Sequence, residues 1–191
     1  MTSSSPSPLS LTRRGFLAAA GSAAAAWLAF ESRDVIAAGM HAAHAQRFDH
    51  LSPADAVDIE AACAEIIPTD DTPGAREAKV VYFIDKALGT FAKDQRDVFA
   101  KGAHELRTRA AKRRAGARSF AGLPAADRIA VIASLEKDKH PFFDALRGAT
   151  IAGMFANPEY GGNHDKAGWK LIGFDDRFSW AEPFGWYDRN V

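Results

Sequence analysis

From Ser52 to Asn157 the apolar residues of this chain recur at intervals of three and four, and each run ends at a proline, a glycine or a cluster of turn residues. That spacing lines one face of a helix. No stretch alternates apolar and polar residues long enough to make a strand. The chain is therefore expected to be all-α: a compact helical domain of about five helices with an irregular aromatic C-terminal segment.

The punctuation is specific. In "LSPADAVDIEAACAEIIP" Ser52 is a helix N-cap, Pro53 fits the first helical position and Asp55 lies in the first turn, where a carboxylate meets the positive end of the helix dipole. Ala56, Ile59, Cys63 and Ile66 form the inward stripe, and Pro68 disfavours helical geometry at Ile67. The turn segment "PTDDTPGA" follows. A second helix is expected over about residues 76–91, with Val80, Phe83, Ile84, Ala87, Leu88 and Phe91 inward. A third covers roughly residues 93–114, with Val98, Phe99, Ala103, Leu106 and Ala110 inward. It ends in Lys112, Arg113 and Arg114, with Arg118 just beyond, as cations favoured by the dipole or as a basic patch. A fourth starts near Pro124 with Ile129, Ile132 and Leu135 inward. A fifth carries Phe142, Leu146, Ala149, Ile151 and Met154, with Gly148 and Gly153 permitting close packing.

The first residues read as an export signal. Arg13 and Arg14 precede Gly15, Phe16 and Leu17, and the apolar run from Gly15 to Phe30 is rich in alanine. It is shorter than the roughly 20 apolar residues of a membrane span. Basic, apolar and small-residue regions in that order are the layout of a signal peptide, and the paired arginines resemble the twin-arginine signal. Ala43-His44-Ala45 is an Ala-x-Ala cleavage site, with Val35-Ile36-Ala37 an earlier one. The expected division is a signal over residues 1–45 and a helical domain over 46–191. A chain of the latter size buries roughly 68–70% of its unfolded surface, so it needs no disulfide or metal to hold a core. Cys63 is the single cysteine, which leaves a small buried side chain or a thiol that pairs with another chain.

Lysine and arginine balance aspartate and glutamate at 24 each. That gives no general attraction to nucleic acid, and no nucleic-acid-binding motif appears, so no such partner is expected. Nucleophile elbows, phosphate loops, dinucleotide fingerprints, HExxH and CxxC are missing from the sequence. Asp70 and Asp71 form either a carboxylate pair for acid–base or metal chemistry or a turn whose side chains bond backbone amides. His164-Asp165 is either a base with its orienting carboxylate or a surface turn. Beyond Asn157 regular patterning stops. Phe174, Phe178, Trp180, Phe184, Trp186 and Tyr187 make an aromatic tail that either packs on the domain or docks on a partner.

The segments "IIPTDDTPGAREAKVVYFID", "FFDALRGATIAGMFANPEYGGN" and "GWKLIGF" resemble the gluconate 2-dehydrogenase subunit 3 family over about residues 50–175. The resemblance implies the non-catalytic small, or gamma, subunit of a periplasmic dehydrogenase acting on sugars, polyols or sugar acids. It implies no catalytic, cofactor or metal residue in this chain. FAD would lie in a large glucose–methanol–choline-type flavoprotein partner, and haem c in a cytochrome c subunit where one is present. The small subunit would assist maturation of the flavoprotein and carry it through the twin-arginine translocase, and the complex would be membrane-associated. Tyr160, Gly161, Gly162, Asn163, Trp169, Phe174, Trp180 and Trp186 are then the expected partner surface. The alternative is a stand-alone periplasmic domain that binds a metal or small molecule through Asp70, Asp71, His164 or Asp165.

Overall fold

A computed structural model describes residues 48–177. The signal residues Arg13, Arg14, Phe16 and Leu17, the cleavage residues Ala43 and Ala45, and the tail residues Trp180 and Trp186 lie outside them. The described residues form α1 (Pro53–Ile66), α2 (Val80–Gly89), α3 (Arg96–Arg113), α4 (Ala125–Lys137), α5 (Pro141–Phe155) and α6 (Ala167–Ile172), with short 3-10 turns at Lys93–Gln95, Pro158–Tyr160 and His164–Lys166. No strand occurs among the described residues, in agreement with the all-α expectation.

The helix termini follow the local code. Ser52 caps α1 by accepting the Asp55 amide at 3.1 Å, and Pro53 occupies the first position. The His140 side chain accepts the Phe142 amide and caps α5, again with proline first.

α5 is the central element and packs against every other helix. Its Phe142 meets Phe99 of α3 edge-on, with ring centroids 5.6 Å apart at 89°. Gly102 makes that approach possible, because a Cβ there would stand 2.0 Å from the Phe142 ring. Gly153 likewise lets α5 close on α2: a Cβ would lie 2.9 Å from Val80 Cγ1. The core is continuous from Ile59 through Phe83, Leu106, Phe120, Leu135 and Met154. Cys63 is buried and free, and accepts from the Thr150 hydroxyl at 3.2 Å. Burial pushes its thiol up to about 12, so it behaves as a small apolar side chain.

Three local expectations are corrected. α2 starts at Val80 rather than Arg76, because residues 75–79 form turns and Lys79 takes left-handed backbone angles at φ 54°. The preceding Ala78 carbonyl accepts the His164 amide at 3.1 Å, so a distant loop claims a group that a longer helix would use. Ile129 is not a core residue: it is 56% exposed. The inward stripe of α4 runs through Val131, Ile132 and Leu135. Arg128 holds the position one turn before them, paired to Glu65 at 2.6 Å and bonded to the Leu123 carbonyl. Ile151 is only half-buried, while the other four expected core members of α5 are buried.

Two buried carboxylates escape periodicity altogether. Asp58 on α1 accepts the Ala121 amide at 2.9 Å and faces Arg107 of α3, which also pairs with Asp55 at 2.7 Å. Asp85 on α2 accepts the amides of Asp49, His50 and Leu51 at 2.9, 2.9 and 2.7 Å. It thereby fixes the first described residues to the bundle, and Phe48 stacks on Tyr82 at 4.9 Å beside it. Neither carboxylate was singled out by the spacing of apolar residues, because the amides and the guanidinium that hold them are distant in sequence.

Candidate functional site

The irregular stretch from Asn157 to Phe174 folds onto the C-terminus of α5. A helix ends with carbonyls that lack intrahelical donors, and this loop supplies them. The Asn163 amide donates to the Gly153 carbonyl at 2.8 Å, the Trp169 indole N–H donates to Phe155 at 2.8 Å, and the Asn163 carboxamide donates to Ala156 at 2.9 Å. The Asn163 side-chain oxygen then accepts the Gly168 amide at 2.8 Å, which docks α6 onto the same end. Asn163 is fully buried and sits at φ 45°, a left-handed conformation that asparagine tolerates. Gly162 and Gly168 allow the contact: a Cβ would lie 2.2 Å from the Gly153 carbonyl oxygen at the first and 1.9 Å from that of Met154 at the second.

The expected partner set therefore divides. Gly162 and Asn163 lie inside the fold, Tyr160, Gly161 and Trp169 are half-buried, and Phe174 is exposed. The Trp169 and Phe174 rings meet at 5.0 Å. Lys166 lies 5.9 Å from the centre of the Trp169 ring and pairs with Asp176 at 2.8 Å. Past Trp169 the helix turns Leu171 and Ile172 to solvent.

The structure brings the turn around Asp70 and the His164-Asp165 pair together. A groove of about 400 Å³ runs between them, lined by Thr72, Pro73, Glu77, His164, Asp165, Ala167, Lys170 and Leu171. Asp70, beside the groove, and Glu77, on its wall, are engaged in holding the turn. Asp70 accepts the Thr72 amide at 2.8 Å and hydroxyl at 2.9 Å, and the amide bond first, then the hydroxyl, holds its carboxyl below the ordinary value. Glu77 accepts the Thr69 hydroxyl at 2.6 Å and the Gly74 amide at 2.9 Å. Asp71 is exposed. His164 Nε2 stands 3.5 Å from Asp165 Oδ2, with both side chains largely in water. The pair forms a loose surface contact, with no hydroxyl or thiol nucleophile on the groove wall beside the imidazole apart from the Thr72 hydroxyl, which is engaged by Asp70. Among the described residues no three His, Cys, Asp or Glu side chains converge as metal ligands, and no helix is long and apolar enough to cross a membrane.

Glu77 carries a pH prediction. Its carboxyl is lowered from the ordinary 4.5, chiefly by the Thr69 hydroxyl. A depressed acid adds stability above its unfolded pKa, and that contribution is lost as pH falls through the folded pKa. Glu77→Gln should lower Tm at pH 7 by a small amount, since the group is exposed. The difference from the parent chain should shrink as pH falls below the ordinary 4.5 and close once the folded carboxyl is protonated. A difference that persists or widens in acid would show that the carboxylate does not tie this turn.

At this end of the molecule a capped helix terminus presents exposed apolar side chains beside a mixed groove. No curated protein and no solved structure matches the chain. The family model described as gluconate 2-dehydrogenase subunit 3 matches residues 53–176, which span α1 to the end of the capping loop and α6; the chain belongs to that family, and is an accessory subunit of a dehydrogenase complex.

Proposed function

We propose that this chain is the non-catalytic small subunit of a periplasmic FAD-dependent dehydrogenase that oxidises a sugar, polyol or sugar acid. It assists maturation of the catalytic flavoprotein and carries that subunit, which has no signal of its own, through the twin-arginine translocase. The observation that carries the reading is the pairing, in one chain, of family membership with the Arg13-Arg14-Gly15-Phe16-Leu17 export pattern. The capping loop fits the reading, because the most distinctive block of the sequence is engaged in holding α5 and α6 together. FAD belongs to the large subunit in this reading, and haem c to a cytochrome c subunit where the complex includes one.

Co-expression with the large dehydrogenase subunit is the test. The two should co-purify, and the flavoprotein should reach the periplasm loaded with FAD only when this chain is present. Replacing Arg13 and Arg14 together with lysine should retain both subunits in the cytoplasm. A flavoprotein that is exported and active without this chain would remove the carrier role.

A further inference from the structure

The chain is fastened from Phe48 onward. The Phe48 ring stacks on Tyr82, with centroids 4.9 Å apart and planes 19° from parallel. The amides of Asp49, His50 and Leu51 then donate to the two oxygens of the buried Asp85 carboxylate. The Leu51 side chain is buried, and Ser52 caps α1 directly behind it. Together these contacts form a clasp on the backbone that follows the signal.

Two small-residue patterns precede the clasp, Val35-Ile36-Ala37 and Ala43-His44-Ala45. By pattern alone either would let a peptidase remove the signal. Whether a bond is cut depends on the burial and hydrogen bonding of the backbone around it. A peptidase holds the residues on both sides of the scissile bond as an extended strand in its cleft. After the bond between Ala45 and Gln46, Phe48 is the third residue and Asp49 the fourth. Their entry into a cleft would break the Tyr82 stack and the first bond to Asp85.

Reach separates the two patterns. A fully extended chain spans at most about 3.3–3.6 Å per residue. Ala45 lies three residues before Phe48, so its bond stands at most about 10 Å from the clasp. Ala37 lies eleven residues before Phe48, and its bond can stand about 36 Å away, beyond the roughly 30 Å width of a small domain.

We propose that the Asp85 clasp selects the processing site. It withholds the bond between Ala45 and Gln46 from the peptidase and directs cleavage to the bond between Ala37 and Ala38. Hydrolysis there consumes one water and leaves a carboxylate on Ala37 and an amino group on Ala38. The proposal rests on the export reading above, in which the domain folds before its signal is removed. Cleavage after Ala45 then requires the clasp to open first, and its rate follows the fraction of molecules in which it is open.

Intact mass and N-terminal sequencing of the exported full chain read the site. The parent chain should begin at Ala38. Ala37→Leu combined with Ala38→Leu should slow processing by about tenfold or more, with no product beginning at Gln46. Inserting six Gly and Ser residues between Gln46 and Arg47 lengthens the reach from Ala45 to about 30 Å and leaves every clasp residue in place. In the double-leucine background that insertion should restore cleavage after Ala45. A parent chain that begins at Gln46 would overturn the proposal and leave the export reading intact. So would double-leucine precursor cut after Ala45 at the parental rate, or an insertion that leaves that bond uncut. An exported parent that keeps its whole leader would overturn it as well. Parent precursor retained in the cytoplasm would remove the export reading and this site with it.

Discussion

Gly168→Ala should detach α6 from the end of α5 and cost the domain about 3–4 kcal/mol. The added Cβ would sit 1.9 Å from the Met154 carbonyl oxygen, and that oxygen belongs to a helix backbone that has nowhere to move. Relief requires the loop to lift. Lifting breaks the bonds from Asn163 and Trp169 to the last turn of α5 and leaves buried carbonyls without donors. Asn163→Ala reaches the same state from the other side. It removes the carboxamide that satisfies Ala156 and Gly168, and asks alanine to hold φ 45°, so a loss of about 2–4 kcal/mol is expected. His164→Ala and Lys170→Ala, on the exposed rim, should stay within about 0.5 kcal/mol of the parent. Urea denaturation followed by circular dichroism measures all four. If Gly168→Ala and Asn163→Ala fell with the rim variants, the loop would not be a cap.

Asp85→Ala should be as damaging, by about 2–4 kcal/mol, because the amides of Asp49, His50 and Leu51 all converge on one carboxylate. Leu51 is buried, so water replaces the lost acceptor poorly there. Gly89 adds a constraint: a Cβ on it would stand 2.0 Å from His50 Nε2, which shows how closely residues 49–51 lie on α2. Asp85→Asn keeps one oxygen acceptor and places an NH2 where an acceptor is needed, so it should lose roughly half as much. Hydrogen exchange should show early loss of protection at residues 49–51 in both variants while α3 and α4 keep theirs. A full-strength domain in Asp85→Ala would mean that these residues are held by the Phe48–Tyr82 stack alone.

The two variants locate the fold's dependence at its ends. Asp85 fastens the chain where the helical body begins, and Asn163 fastens it where the last helix returns to α5. Local unfolding starts where few contacts hold the chain, so these two hydrogen-bonded fastenings set how readily the described residues open.

Much of this was legible from spacing. Ser52 and Pro53 start α1, and the apolar residues expected inward in α2 and α3 are buried apart from Phe91 and Val98, which are half-buried against the core. Ile129 fails for a local reason: Arg128, a charged residue that periodicity assigns to the surface, turns toward the body of the domain to pair with Glu65, and Val131 joins Ile132 and Leu135 in the stripe in place of Ile129. The early start expected for α2 fails because His164 bonds the Ala78 carbonyl, a contact across more than eighty residues that no window of sequence contains.

By itself the sequence determined the helical class, the start of α1, most of the buried stripes and the family. These depend on residues within a few positions of one another, whose side chains share a helix face or compete for the same backbone groups. The tertiary structure alone decided what Asn163, Gly168, Asp58 and Asp85 do. Each is a polar or small residue whose role is set by the group it meets, and Asp85 meets amides 34 to 36 residues away. The glycines of the "YGGN" turn favour a tightly folded loop, but only the structure shows what Gly162 makes room for: the Gly153 carbonyl at the end of α5.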